Sequence, residues 1–450
     1  MLEAWPLDAR AVAAMVALLA LPGLVVVLAP WRAMPLLSLA FWVISWTWVG
    51  GAGRTRFVHA ALAAFLALAL LRFLRPGPWP RLHRAHVVLA VVALAVCLPP
   101  ARRTVPSGPR MPLESLTAEL LAWHDGWPVS FEPLLPVAPF RAGGLALLAG
   151  DVVLLSGARP PRAVLIVAAA TALALLLALW SLAARRAPPV TAAAVSAIAV
   201  LIVAGTSVGP GTLATAFAVQ AAALWLERRG HPSAFAAGAC AAAALATDLV
   251  TGLAALAVGA LGGRAIARLV PSRDEDALAP RPGRLRTAVC TAVVLGLPLL
   301  VRRPPILTPE VPPLIALAVV VMLPLASRAA RPESIRRFAL AGLAAAVVVL
   351  VVRAPSGDLT AGDAAAMEWI RVRARPLDQV CAPDVPAARW IPALAARPVN
   401  ISVGPGWPAP SAPCTVLLSL SGAAFRGAMP PGPPAFRAGM AVVWTTSQDR

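Results

Sequence analysis

Lysine and tyrosine are absent from this chain of 450 residues, and only 20 residues are acidic, against 39 basic residues that are all arginine. The missing lysine and tyrosine, beside abundant alanine, proline and arginine, reflect nucleotide composition rather than mechanism. Charge as a whole is short: 13% of residues are charged and 59% are hydrophobic. Soluble domains carry roughly 25% charged residues, so an ordinary soluble domain is excluded and the chain reads as a membrane protein. The five cysteines, at 97, 240, 290, 381 and 414, form no CxxC and pair with no histidine at metal-ligand spacing, which argues against a structural zinc site. Cys97, Cys240 and Cys290 lie in apolar runs and are expected as small buried hydrophobes. Cys381 and Cys414 can form a disulfide if the terminal region is extracytoplasmic. Basic patches interleaved with aromatic residues, the kind that stack bases, are also missing. The net charge of +19 is therefore assigned to loops at an anionic lipid surface, and nucleic acid is set aside as a partner. The opening MLEAWPLDAR carries Glu3 and Asp8 ahead of its first apolar run, unlike a secretory signal, so the first segment is expected to be retained.

What is present is a succession of apolar runs long enough to cross a bilayer as helices. They fall near 11–30, 34–50, 57–74, 85–100, 143–158, 163–183, 190–208, 212–226, 233–261, 287–301, 311–327 and 336–353, the run at 233–261 being one long helix or two short ones. Pro22, Pro298 and Pro324 sit inside such runs and predict kinks. The basic loop 264–286, with Asp274, Glu275 and Asp276 as a solvated charge run, is expected on the cytoplasmic side. After residue 354 the pattern changes. Helical spacing over 361–375 and 385–396 alternates with strand-like runs at 378–382, 399–403, 414–420 and 440–445, which predicts a small α/β domain. The expected fold is thus a polytopic α-helical membrane protein of about 10–13 transmembrane helices with a small C-terminal α/β soluble domain. Its parts are an N-terminal transmembrane module (1–84), a transmembrane core (85–353) with an extramembrane loop (101–142), and an extracytoplasmic domain (354–450).

The loop concentrates the scarce acid. In LESLTAELLAWH, residues 113–124, Leu113, Leu116, Leu120 and Trp123 share one face while Glu114 and Glu119 lie elsewhere on the wheel, which predicts an amphipathic helix at the membrane surface with Trp123 at headgroup level. The following HDGWP, residues 124–128, ends it: Gly126 supplies the stop and Pro128 prevents resumption. Asp125 is then presented at a helix end, where a carboxylate can act as a general base, hold a divalent cation, or simply cap and solvate the loop. Asp151 and Asp248 stand inside apolar helices, and an acid there is costly unless paired or hydrated.

In order along the chain, these parts resemble the GT-C superfamily of integral membrane glycosyltransferases. The resemblance covers about residues 86–445 and rests on PVSFEPLLPVAPF and LLSGARPPRAV after the acid-bearing loop, on FAAGACAAAALATDLVTGLAAL as a small-residue helix pair, and on AAAMEWIRVRARPLDQVCAPDVPAARWIPALAARPVNI in the tail. It implies transfer of a sugar from a polyprenyl-phosphate donor to a glycan, lipid or protein acceptor at the outer face of the bacterial inner (plasma) membrane. It implies Asp125 as catalytic base or as ligand of Mg²⁺ or Mn²⁺, with His124 and Glu132 as further candidates. Arg102, Arg103, Arg110 and Arg141 are near enough in sequence to bind the donor phosphate, whose geometry a guanidinium matches, and Asp151 and Asp248 would line the donor cavity. Two alternatives stand beside this one. The loop has no DxD pair, which suits a non-catalytic scaffold derived from such an enzyme; a transporter or flippase of a lipid-linked substrate would show inverted repeats, which the chain lacks.

Overall fold

The computed structural model describes residues 6–25, 33–49, 53–73, 84–102, 105, 106, 108, 110–135, 142–184, 187–206, 208–226, 230–269, 286–295, 310–329, parts of 333–347, 359–382, 385–401, 414–421 and 433–445. The protein is mostly helical with one small sheet. Its helices are α1 (Leu7–Val25), α2 (Met34–Trp48), α3 (Arg54–Phe73), α4 (Arg84–Arg102), α5 (Met111–Trp123), α6 (Gly144–Ser156), α7 (Pro160–Ala183), α8 (Pro189–Thr206), α9 (Pro210–Leu226), α10 (Gly230–Thr247) and α11 (Leu249–Leu269). They continue with α12 (Arg286–Leu295), α13 (Val311–Ala329), α14 (Ala361–Arg373) and, after a 3₁₀ turn over Pro386–Trp390, the short α15 (Ile391–Ala395).

Proline opens α7, α8 and α9, where its missing N–H is unneeded and its fixed φ suits the first turn. The apolar run 233–261 is two helices, broken where Asp248 caps the start of α11 with its side chain on the Thr251 N–H (3.0 Å). Helix α9 is buried along nearly its whole length, packed by α7, α10 and α11, with α2, α6 and α13 also against it. Its alanine-rich surface lets those backbones approach closely. Among the described residues, Leu7–Leu24 and Pro160–Ala183 are long and apolar enough to cross a membrane by length and composition, and nine shorter apolar helices accompany them. Cys240 is buried as expected, whereas Cys97 and Cys290 face outward from their apolar helices. The loop 270–285, with its acidic run, lies outside the described residues.

Strands β1 (Val380–Ala382), β2 (Val399–Ile401), β3 (Val416–Ser419), β4 (Phe436–Ala438) and β5 (Ala441–Thr445) form a sheet of order β2-β1-β3-β5-β4. β1 pairs in parallel with β2 and β3, while β5 runs antiparallel to β3 and β4. Cys381 of β1 and Cys414, just before β3, which the sequence left as a conditional pair, form a disulfide with Cα atoms 5.7 Å apart. Helix α14 starts from a capping box of Thr360 and Asp363 and covers β4 and β5, Trp369 stacking on Phe436. The buried guanidinium of Arg397 donates to the carbonyls of Arg371 (2.8 Å), Ala374 (2.6 Å) and Ala396 (2.9 Å), so one cation closes the C-termini of α14 and α15.

This domain sits on α5. The 3₁₀ turn and α15 pack against it, α15 also touches α7, and Arg371 donates to Glu119 at 2.8 Å. Helix α5 therefore departs from its expected orientation. Glu114 and Glu119 point inward and are almost fully buried, while Leu113 and Trp123 are exposed. A helical wheel places acid toward water, but here α6, α7 and the C-terminal domain enclose the helix on several sides; Glu119 pairs with Arg371, and Glu114 lies behind the Arg110–Glu310 pair. Burial pushes Glu119 up to about 7, with Arg371 acting against it. Removing Arg371 leaves that carboxylate buried without its cation, at a cost of about 1–3 kcal/mol. Arg371→Ala is expected to lower the thermal midpoint of the purified protein and Glu119→Gln in the same background to restore most of it; no restoration would contradict the pairing.

Candidate functional site

Helices α5 and α6 lie side by side in the same direction: the Ala146 N–H of α6 donates to Glu114 of α5, and Gly150 abuts Leu121 a turn or two further on. Two polar centres mark the ends of this layer, separated by about 20 Å, the length of thirteen helical residues.

The first centre contains the loop acid. Helix α5 ends in a Schellman turn: the Gly126 N–H reaches the Leu121 carbonyl (3.2 Å), the Asp125 N–H reaches that of Ala122 (3.3 Å), and the left-handed residue between them is Asp125 (φ 48°), not the glycine beside it. Aspartate tolerates this conformation better than most residues, and it turns its carboxylate onto the start of α3. Asp125 Oδ1 accepts from the N–H and the Oγ1 hydroxyl of Thr55, both at 2.6 Å, and its carbonyl accepts from the Arg54 N–H (3.0 Å). The second carboxylate oxygen has no partner among the described residues.

One residue along α3's first turn, the side chain of Arg54 turns into the bundle and meets Asp151 of α6 in a two-pronged pair, Nε to Oδ1 at 2.9 Å and Nη2 to Oδ2 at 2.8 Å, with both side chains fully buried. Trp46 donates its indole N–H to the same carboxylate and lies 4.2 Å under the guanidinium, and Trp127 packs edge-on against Trp46 while donating to its carbonyl. The acid of the apolar helix α6 is thus matched by a cation 97 residues earlier in the chain. His124 is exposed beside Asp125, and Glu132 is exposed on the loop beyond, its N–H donating to Ser130 Oγ. Asp125 and Asp151 are brought together through Arg54; Glu132 makes no contact with them.

The second centre was not anticipated as a unit. At the start of α5, Arg110 Nη1 lies 3.5 Å from Glu310 Oε1 and 3.7 Å from Asp248 Oδ2, with Glu114 buried behind them. Each carboxylate serves the N-terminus of a helix: Glu114 that of α6 at Ala146, Asp248 that of α11 at Thr251, and Glu310 that of α9 at Gly211 and Thr212. The Glu310 N–H in turn donates to Thr251 Oγ1 (3.1 Å). Helix N-termini favour negative charge, which explains why acid gathers where the first turns of α5, α6, α9, α11 and α13 converge. Gly209 and Gly211 make the room: a Cβ on Gly211 would stand 2.6 Å from that of Glu310. Desolvation raises Glu114 to about 8, with the charges of Glu310 and Asp248 adding to it, and burial likewise raises Glu310.

Asp151 and Asp248, both read from the sequence as lining a donor cavity, lie apart, Asp151 in the first centre and Asp248 in the second. Glu310 was missed altogether, although an acid fenced by prolines one residue before an apolar helix, in a chain so poor in acid, was a usable signal. Arg103 and Arg141 lie outside the described residues, as does the side chain of Arg102. Among the described residues no group of three or more His, Cys, Asp or Glu side chains is arranged to hold a metal ion. Asp125 stands without a second acid beside it other than the already paired Asp151. Compared with known proteins, the chain matches no family model and no curated sequence.

The buried pair makes a direct prediction. Arg54→Leu leaves Asp151 charged and unpaired, at a cost of about 3–5 kcal/mol, and is expected to lower the thermal midpoint sharply. The double change Arg54→Met, Asp151→Leu should recover most of the loss, because an apolar pair of similar volume replaces a buried ion pair at little cost. An equally deep loss in the double variant would show that the two residues do not act on each other.

Proposed function

We propose that the chain is a multi-pass membrane glycosyltransferase of the GT-C type, moving a sugar from a polyprenyl-phosphate donor to an extracytoplasmic acceptor, with Asp125 as its base. The observation that carries this reading is the way Asp125 is held. One carboxylate oxygen is fixed by two hydrogen bonds from Thr55 at the start of α3 while the other has no partner among the described residues, at the end of a bundle where α5 meets the C-terminal domain. A base must be oriented before it can be effective, and hydrogen bonds of this kind supply the orientation. In the proposed step the acceptor hydroxyl attacks the anomeric carbon, its proton passes to Asp125 Oδ2, and the polyprenyl phosphate leaves with the electron pair of the glycosidic C–O bond. His124, exposed next to the base, is placed to meet the acceptor. Asp125 is the residue that would hold a divalent cation, which would supply positive charge to the leaving phosphate.

Three features support the membrane setting. Apolar helices follow one another along the chain. Large hydrophobic side chains are exposed on the outward faces of α1, α3, α4, α11, α12 and α13, as at Val16, Leu70, Leu94, Leu253, Val294 and Ile315. The Cys381–Cys414 bond suits an oxidising compartment, which supports the reading of the C-terminal domain as extracytoplasmic at a bacterial inner membrane.

The test is turnover of a panel of polyprenyl-phosphate sugars by the protein in nanodiscs, with and without Mg²⁺ or Mn²⁺. Asp125→Asn keeps the Thr55 contacts and is expected to lower kcat by at least about 10²-fold, the lower range for removal of a general base, with unchanged thermal midpoint. Turnover equal to wild type in Asp125→Asn would overturn the assignment of the base. Absence of both binding and transfer across the panel would overturn the transferase reading in favour of a scaffold or a flippase.

A further inference from the structure

The second polar centre is not used by the proposed reaction, and its geometry asks for a ligand. Three carboxylates, those of Glu114, Asp248 and Glu310, face a single guanidinium, Arg110, at the convergence of helix N-termini. The helix N–H groups offset part of the charge, but they are engaged by one side of the carboxylates. Glu114 Oε2 and Asp248 Oδ2, on residues that are 4% and 1% exposed, accept no hydrogen bond. A buried carboxylate oxygen with no donor is expensive, and the deficit grows when like charges share the site.

We propose that Arg110, Glu114, Asp248 and Glu310 form a buried binding site for one exchangeable proton. A proton added to Glu114 removes one of the three negative charges and converts an oxygen that lacks a donor into a hydroxyl that is one. The route for exchange is the mouth of the cluster, where Arg110 is 25% and Glu310 16% exposed, while Asp248 is closed off. Glu114 is the proton's resting place because its buried Oε2 has no donor, whereas Glu310 is partly exposed and Glu310 and Asp248 are the two acids that Arg110 approaches directly; burial raises Glu114 to about 8, the charges of Glu310 and Asp248 push the same way, and Arg110 and the Ala146 N–H oppose them. Among the described residues no charged group of α6 or α7 acts on it. Asp151 of α6 is bound to Arg54, Arg162 of α7 is bound to Asp8, and on α5 itself Glu119 is bound to Arg371.

The consequence is mechanical as well as electrostatic. Glu310 belongs to the segment entering α13 yet binds the first turn of α9 and is bound by Thr251 of α11. Loss of the proton places three negative charges together, and Glu310, the one of the three acids that is partly exposed, can move toward water. The site therefore ties the packing of α9, α11 and α13 to the pH at the end of the bundle where the C-terminal domain sits. This inference is independent of glycosyl transfer and stands or falls without it.

The experiment is infrared difference spectroscopy of the purified full chain in nanodiscs, following the carboxylic C=O stretch as pH is raised. A protonated carboxyl band that is lost as the pH passes about 8 is expected at pH 7, shifted in D₂O and absent in Glu114→Gln, which leaves the separate Glu119 component that is lost about a unit lower. Two further variants give opposite displacements. Arg110→Gln should move the loss of the band to higher pH, and Glu310→Gln to lower pH, each by on the order of one unit, as expected when a neighbouring charge is removed. Glu119→Gln, one to two turns along α5, should leave the band's pH of loss in place. Absence of the band at pH 7 in the wild type, its persistence in Glu114→Gln, or displacement of the same sign in Arg110→Gln and Glu310→Gln would each overturn the proposal.

Discussion

Carboxylates bound to the first turns of helices hold one end of this molecule together. Glu114, Asp248 and Glu310 each satisfy backbone N–H groups that a helix start leaves without partners, and Asp125 does the same for α3 from the end of α5. In a chain whose helices are almost wholly apolar, hydrophobic contact specifies that helices pack but discriminates poorly between one register and the next. A hydrogen-bonded acid at a helix start is far more selective, because sliding by one residue leaves both a charge and an N–H group unpaired in a dry place. The few acids of this sequence are concentrated where that selectivity matters.

Helix α5 is the part through which these constraints communicate. Its first turn carries the Arg110 cluster, its middle carries Glu119 with Arg371 of the C-terminal domain, and its last residues turn Asp125 onto α3. The helix is too short to cross a bilayer and has the wrong pattern for a surface-lying one, since its acids face inward. Its burial between α6, α7 and the C-terminal domain gives a rigid mount for the loop that follows. That rigidity is what a positioned carboxylate needs, and it explains how Asp125 can occupy a left-handed backbone conformation with its side chain fixed.

Much of the fold was legible because apolar runs of helical length leave few alternatives. The runs read at 163–183 and 212–226 appear as Pro160–Ala183 and Pro210–Leu226, and the alternation in the tail returns as α14, β1, the turn with α15, β2, β3 and β5. The strand Phe436–Ala438 was not foreseen, since its three residues, FRA, sit among prolines and gain strand geometry only by pairing with β5. The site was less legible for a physical reason: its contacts join distant segments. Arg54 carries no local signal that it neutralises Asp151, and Glu114 shows on a helical wheel as a surface acid. Spacing along one helix cannot reveal a partner supplied by another. Only the scarcity of acid pointed the right way, and it pointed to Asp125, Asp151 and Asp248 while passing over Glu310.

In the membrane setting we propose, one end of the bundle carries both the Asp125 loop and the disulfide-closed domain, and that end faces away from the cytoplasm. The most direct measurement is labelling of intact cells with a membrane-impermeant maleimide, using the chain with Cys97, Cys240 and Cys290 replaced by alanine and a single added cysteine at exposed His124 or exposed Leu377. The account predicts that both positions label from outside without permeabilisation. Labelling of the two from opposite sides, or of both only after the membrane is opened, would contradict it.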